Sequence, residues 1–356
     1  MLTALVFFII LGVLVLVHEF GHFIAAKKNG IRVEEFGFGL PPRLFGVRKG
    51  ETLYSINLLP FGGFVKLFGE EYQEIKKDSD PHLKKRSFVY KKPWQKASVI
   101  IAGVIGNLLL GWLIISYLFT QGVPVPTKHV IVEKVQKNSP AQSSRLQPKD
   151  IILKFIADKE YALDDTSNLL PLTKQFAGKE ITLEIQRGEK ILRVSIIPRK
   201  KYPADQGPLG IVITTFQEKK YSLIETPIYG LIESFNITRT ITVELVRISV
   251  QIISLKAPAV DVTGPVGIAR YTGEAVRIGK NAVLELVALL SLNLAIINIL
   301  PFPALDGGRL AFVLYEWVRK KRVNERIERN LNVLGLAILL SIAILITIRD
   351  IIQIYR

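Results

Sequence analysis

Residues 2–28 read LTALVFFIILGVLVLVHEFGHFIAAKK: an uncharged run as far as Val17, then His18, Glu19 and His22, and finally Lys27 and Lys28. An apolar run of that size approaches the length that crosses the hydrocarbon of a bilayer. A signal peptide would carry a basic start and a small-residue cleavage site, whereas this run leads straight into an ionisable cluster. Stretches 97–120, 282–305 and 331–348 are similarly apolar. The sequence therefore predicts a polytopic α-helical membrane protein with about four transmembrane helices.

The whole composition agrees. The chain has 356 residues, 49% of them hydrophobic, and a mean hydropathy of +0.31, high for a soluble protein. With no cysteine, disulfides, iron–sulfur clusters and thiolate metal sites are excluded. The net charge of +16 would suggest nucleic acid if it covered one soluble face. It instead follows the apolar segments: Lys27, Lys28, Arg32, Arg43, Arg48, Lys49, Lys84, Lys85, Arg86, Lys91 and Lys92 fill the first loop, and Arg319, Lys320, Lys321 and Arg322 follow the third segment. The expected partner of this charge is the lipid bilayer, not nucleic acid. Short loops rich in Lys and Arg stay cytoplasmic, so both loops are expected inside, with residues 121–281 and both termini outside.

Between the segments, ETLYSINLLPFGGFVKL at 51–67 offers two apolar runs around Pro60, Phe61, Gly62 and Gly63 and is read as a membrane-associated β-hairpin. Its open edge at membrane depth would need a partner strand, and an extended substrate could supply one. Region 127–200 carries short strands such as HVIVEKV, DIILKFI and EITLEIQR, the pattern of a soluble domain. Region 201–281 is read as a linker with an amphipathic interfacial helix in 224–255, where Ile228, Leu231, Phe235 and Leu245 alternate with Glu233, Arg239, Glu244 and Arg247. The domain reading is thus 1–120, 127–200, 201–281 and 282–356.

His18-Glu19-Phe20-Gly21-His22 is H-E-x-x-H on an apolar helix. The four-residue spacing turns the second imidazole only about 40° from the first, so both face one way and can grip a single Zn²⁺. Glu19 can then reach a water on the open coordination position as general base. Ionisable residues at membrane depth are generally functional. A catalytic zinc normally takes three protein ligands. His82 lies in a basic loop and His129 at the start of the soluble region, so Asp306, in NILPFPALDGGRL, is the better third ligand. Helical rise puts the histidine pair roughly 7 to 14 Å below the inner surface, and Asp306 comes at the matching end of the third segment. Pro301 and Pro303 should break the helix before it, and Gly307 and Gly308 allow a tight turn.

HEFGH near one end and LDGG near the other, with FGFG at 36–39 and PFGGFVK at 60–66, resemble the site-2 proteases, and in particular their bacterial regulator-of-sigma-E protease branch. The resemblance implies zinc bound by His18, His22 and Asp306, Glu19 as general base, and a substrate strand paired with the hairpin at Phe61, Gly62, Gly63, Phe64 and Val65. It implies that Asn298 holds the substrate backbone and that Asn107, in AGVIGN, lies near the site; Val104 stands where the family usually has proline. Residues 138–152, NSPAQSSRLQPKDII, resemble a PDZ domain, with Arg145 and Lys149 where the usual motif has glycine, so a steric gatekeeping role is favoured for this extracytoplasmic domain.

The function so implied is intramembrane zinc proteolysis of single-pass membrane proteins in the cell (cytoplasmic) membrane, such as anti-sigma factors after an upstream site-1 protease, or remnant signal peptides. The rivals are a metal-binding transporter using the same three ligands and a non-catalytic scaffold working through the PDZ-like domain.

Overall fold

The computed structural model describes residues 2–70, 81–163, 168–254 and 263–354, without the side chains of residues 60, 61, 252, 253 and 354. In chain order the elements are α1 (Leu2–Lys28), β1 (Val33–Lys49), β2 (Thr52–Leu67), α2 (Pro81–Lys85), α3 (Pro93–Gln121), β3 (Val123–Val135), α4 (Pro140–Ser143), β4 (Ile151–Ile156), β5 (Glu160–Ala162), α5 (Leu169–Gln175), β6 (Ile181–Arg187), β7 (Lys190–Ile196), β8 (Ile211–Lys219), α6 (Thr226–Ile253), α7 (Pro265–Ile278), α8 (Lys280–Ile299), α9 (Asp306–Arg319) and α10 (Glu325–Ile354). They form two compact units, one of residues 1–118 with 223–356 and one of residues 119–222.

In the first unit, α1, α3, α8 and α10 are long and apolar enough to cross a membrane. Apolar side chains give no net attraction between helices in lipid, so close packing through small residues carries the association. A Cβ on Gly21 of α1 would lie 2.1 Å from the Ala102 carbonyl oxygen of α3, and one on Gly106 would lie 2.8 Å from that of Val17. The two helices are therefore in backbone contact beside the H-E-x-x-H turn. Elsewhere α1 buries Ile10 and Leu14 against Val287 of α8.

The expected hairpin takes a different form. The two runs of β2 do not pair with each other; both pair with β1, and the connection is made at Gly50 and Glu51 instead of around Pro60 to Gly63. Residues 63–67 pair antiparallel with 33–38, and 52–57 pair antiparallel with 43–49. Between the inner runs the register advances in step, from Glu35 opposite Leu53 to Phe38 opposite Ile56. The result is a folded-over sheet with 63–67 along one edge. The reason is local: Gly62 bends β2 at φ 81°, a conformation open to glycine at little steric cost, while Pro41 and Pro42 interrupt β1. This sheet docks on α1 through Phe23, Phe36 and Tyr54, whose ring centroids stand 5.3 to 6.2 Å apart, and through the buried group of Ala26, Ile31, Val33, Leu67 and Val99.

The expected break within 282–305 is present: helix α8 stops at Ile299, and 300–305 are irregular before α9 begins at Asp306, as the two prolines require. In 224–255 there is one continuous helix, α6, buried at Thr226, Gly230 and Ser234.

The second unit is a sheet of order β7-β6-β4-β3-β8, with β5 added on β4. It reaches beyond 127–200 because β8, expected in the linker, pairs along β3 from Val123–Lys219 to Val135–Ile211. Its core is formed by Val130, Val132, Ile152, Phe155, Leu183 and Ile185, the inward positions of alternating strands. The buried Asp150 takes two bonds from Arg187, at 2.7 and 2.6 Å. Arg145 and Lys149 have φ of 57° and 74°, a region where a side chain crowds its own backbone. Lys149→Gly should therefore stabilise this unit by about 1 kcal/mol, read as slower amide hydrogen exchange in β3 and β4.

Candidate metal centre

His18 and His22 lie on successive turns of α1, and their Nε2 atoms are 3.2 Å apart. Asp306 Oδ2 stands 2.9 Å from Nε2 of His18 and 3.2 Å from Nε2 of His22. The structure thus brings together three residues that are nearly 290 positions apart in sequence. The Val99 carbonyl cannot donate, so His22 Nδ1, 2.8 Å away, must carry the proton and give it to that oxygen. His22 Nε2 is left with a free lone pair aimed at the shared point. Asp306 Oδ2 is buried and makes no hydrogen bond of acceptable geometry, although both imidazoles are close. Lone pairs that converge with no proton between them are what a divalent cation satisfies, and two imidazoles with one carboxylate suit zinc.

Gly103 explains how α3 comes so near. A Cβ there would sit 2.4 Å from His22 Nε2 and 2.9 Å from His18 Cε1, so only glycine leaves room for the imidazoles against this helix. Asn107, one turn further along α3, is fully buried, with its Nδ2 3.4 Å from His18 Nδ1 and its Oδ1 without a partner. If His18 holds a cation through Nε2, its Nδ1 carries a proton. Turning the amide over lets Oδ1 accept that proton. Ser291 Oγ of α8 donates to the Asn107 carbonyl at 2.8 Å, fixing α3 to α8 here. Asn107 is thus placed to orient a ligand, away from any open space.

Asn298, in the last turn of α8, has Nδ2 3.4 Å from His18 Nε2, on the side that faces the convergence point. Glu19, His18, His22 and Asp306 line a cavity of about 110 Å³ together with Val65, Leu67, Glu70, Phe88, Val99, Ile100 and Arg309. Of the expected substrate residues, Val65 borders this cavity, and a Cβ on Gly63 would be 3.5 Å from Glu19 Cγ. Phe64 lies over Gly37 instead, Gly62 forms the bend, and the side chain of Phe61 lies outside the described residues. His82 and His129 are exposed. Sequence reasoning missed Arg309 and Glu70, whose 2.6 Å ion pair ties the end of the sheet's edge run to α9. Glu70 raises the Arg309 pKa above its already high ordinary value. The Arg beside LDGG was visible, but nothing in the sequence pointed to its partner.

The model of peptidase family M50 matches residues 6–342. The chain belongs to that family, the site-2 proteases. A protein of Clostridium perfringens named as a zinc metalloprotease is 37% identical over 348 residues, covering 95% of each chain. One from Clostridium acetobutylicum with the same kind of name is 34% identical over 342 residues, covering 96% of this chain and 95% of its own. One from Staphylococcus aureus, again so named, is 30% identical over 428 aligned positions, covering 99% and 98%. The M50 chain described here is a membrane-embedded metalloprotease.

The contact of Gly103 with both imidazoles yields a direct test. Gly103→Ala should lower the zinc retained after dialysis about tenfold or more, measured as metal per protein in the purified chain.

Proposed function

We propose that this M50 protease is a zinc endopeptidase that cuts single-pass membrane proteins within or near their transmembrane helix. The observation that carries the reading is the convergence of His18, His22 and Asp306 beside Glu19, in a cavity also lined by Val65 and Leu67 of the run 63–67, which forms an edge of the sheet among the described residues. Zinc, when held by these three ligands, polarises the scissile carbonyl and lowers the pKa of an attacking water. Glu19 accepts the proton of that water on its carboxylate and returns it to the departing amine nitrogen. The substrate chain unwinds and lies along 63–67 as an added strand, so its backbone groups find partners where lipid offers none. Asn298 donates its amide to that strand's backbone beside the scissile bond.

The basic loop between α1 and α3 and the Arg319 to Arg322 cluster support a site opening toward the cytoplasm in the cell membrane. The second unit is then an extracytoplasmic PDZ-like domain. Arg145 and Lys149 support that likeness, since both adopt left-handed backbone where the motif carries glycine. It acts as a steric gate that admits substrates already trimmed by a site-1 protease, among them anti-sigma factors, or short remnants such as cleaved signal peptides. The regulator-of-sigma-E branch is the matching assignment.

Incubating the purified protein with a panel of single-span substrates tests this. Wild type cleaves, a chelator abolishes cleavage, and Glu19→Gln keeps its zinc yet loses about 10²- to 10⁴-fold in rate. Wild-type activity in Glu19→Gln removes Glu19 as the base. Zinc flux into vesicles with no cleavage of any substrate makes the protein a transporter.

A further inference from the structure

Helix α10 is apolar and almost entirely exposed; among its described residues only Gly335 and Asp350 are buried. Asp350 accepts the backbone N–H groups of Gly264 and Gly267 at the start of α7, at 3.0 and 2.8 Å. Gly335 does something different. A Cβ there would lie 2.5 Å from the carbonyl oxygen of Pro303 and 2.7 Å from its carbonyl carbon and its own Cβ. One turn before, Asn332 Oδ1 accepts the backbone N–H of Ala304 at 3.2 Å.

Both contacts fall on the short segment between α8 and Asp306. Ala304 there has φ 72°, a left-handed conformation that a non-glycine residue holds only when its surroundings impose it. The segment is held in part by its own backbone: Phe302 N–H donates to the Leu300 carbonyl at 2.7 Å and Leu305 N–H to that of Phe302 at 3.1 Å. It is also held by α10, through Asn332 and Gly335. Asp306 follows two residues after Ala304, and its Oδ2 must meet the two imidazoles to within a few tenths of an ångström to share an ion with them.

The geometry points to Asn332 and Gly335 as positioning residues for the metal: α10 clamps the strained turn at Pro303 and Ala304 and so sets where the Asp306 carboxylate stands. This inference rests on Asp306 being a zinc ligand.

Zinc affinity of the purified full-length protein in detergent, read by competition with a chromogenic chelator, tests it apart from catalysis. Asn332→Ala and Gly335→Leu should each weaken zinc binding about tenfold or more. Ala304→Gly, which accepts φ 72° without strain, should restore binding in the Asn332→Ala background. Asp350→Asn, which loosens the far end of α10, should bind zinc as wild type does. The clamp is overturned if Asn332→Ala and Gly335→Leu bind zinc normally. It is equally overturned if Asp350→Asn weakens binding as much as they do, or if Ala304→Gly restores nothing. Asp306→Ala distinguishes the two levels: normal zinc binding there removes the ligand assignment itself, whereas lost binding there with normal binding in the α10 variants removes only the clamp.

Discussion

Two imidazoles and a carboxylate at the end of apolar helices are tolerable only if they compensate one another. An isolated charge at that depth costs a few kcal/mol even on lenient scales, and a buried polar group without a partner costs nearly as much. Here the three groups share one point, and much of the first unit serves to make that sharing geometrically possible. Gly21, Gly103 and Gly106 bring α1 and α3 into backbone contact, so that a helix carbonyl, that of Val99, can take the outer proton of His22. Asn107 serves His18 from the same helix, and Ser291 ties that helix to α8. Removing space at any of these positions moves a ligand.

The sheet is fitted to the same centre from the other side. Its aromatic contact with Phe23 of α1 places the edge run 63–67 along the cavity, and the Glu70–Arg309 pair anchors the end of that run to the helix that begins with Asp306. An open strand edge is a hazard in water and a greater one in lipid. In the function proposed above, this edge is the means of holding an unwound chain by its backbone, indifferent to side-chain identity.

The second unit obeys different physics. Its core is that of a soluble domain, with alternating strands around Phe155 and a buried Asp150–Arg187 pair. Two residues in left-handed backbone, Arg145 and Lys149, show that its turn geometry is kept even where the side chains oppose it.

Much was readable from residue order alone, because membranes impose a length on apolar runs and metals impose a spacing on ligands. The four apolar helices, the H-E-x-x-H pair and its pairing with Asp306 follow from those two rules, and the helix break before Asp306 follows from Pro301 and Pro303. The strand pairing did not: 51–67 looks like a hairpin because its two runs flank PFGG, and only the presence of β1 as a longer competing partner decides that both pair with it. Nor could residue order reveal that Gly103, Val99 and Arg309 surround the ligands, since each is joined to them by contacts between distant helices. Spacing along the chain specifies which atoms can act, and the packing of one helix on another specifies where those atoms stand.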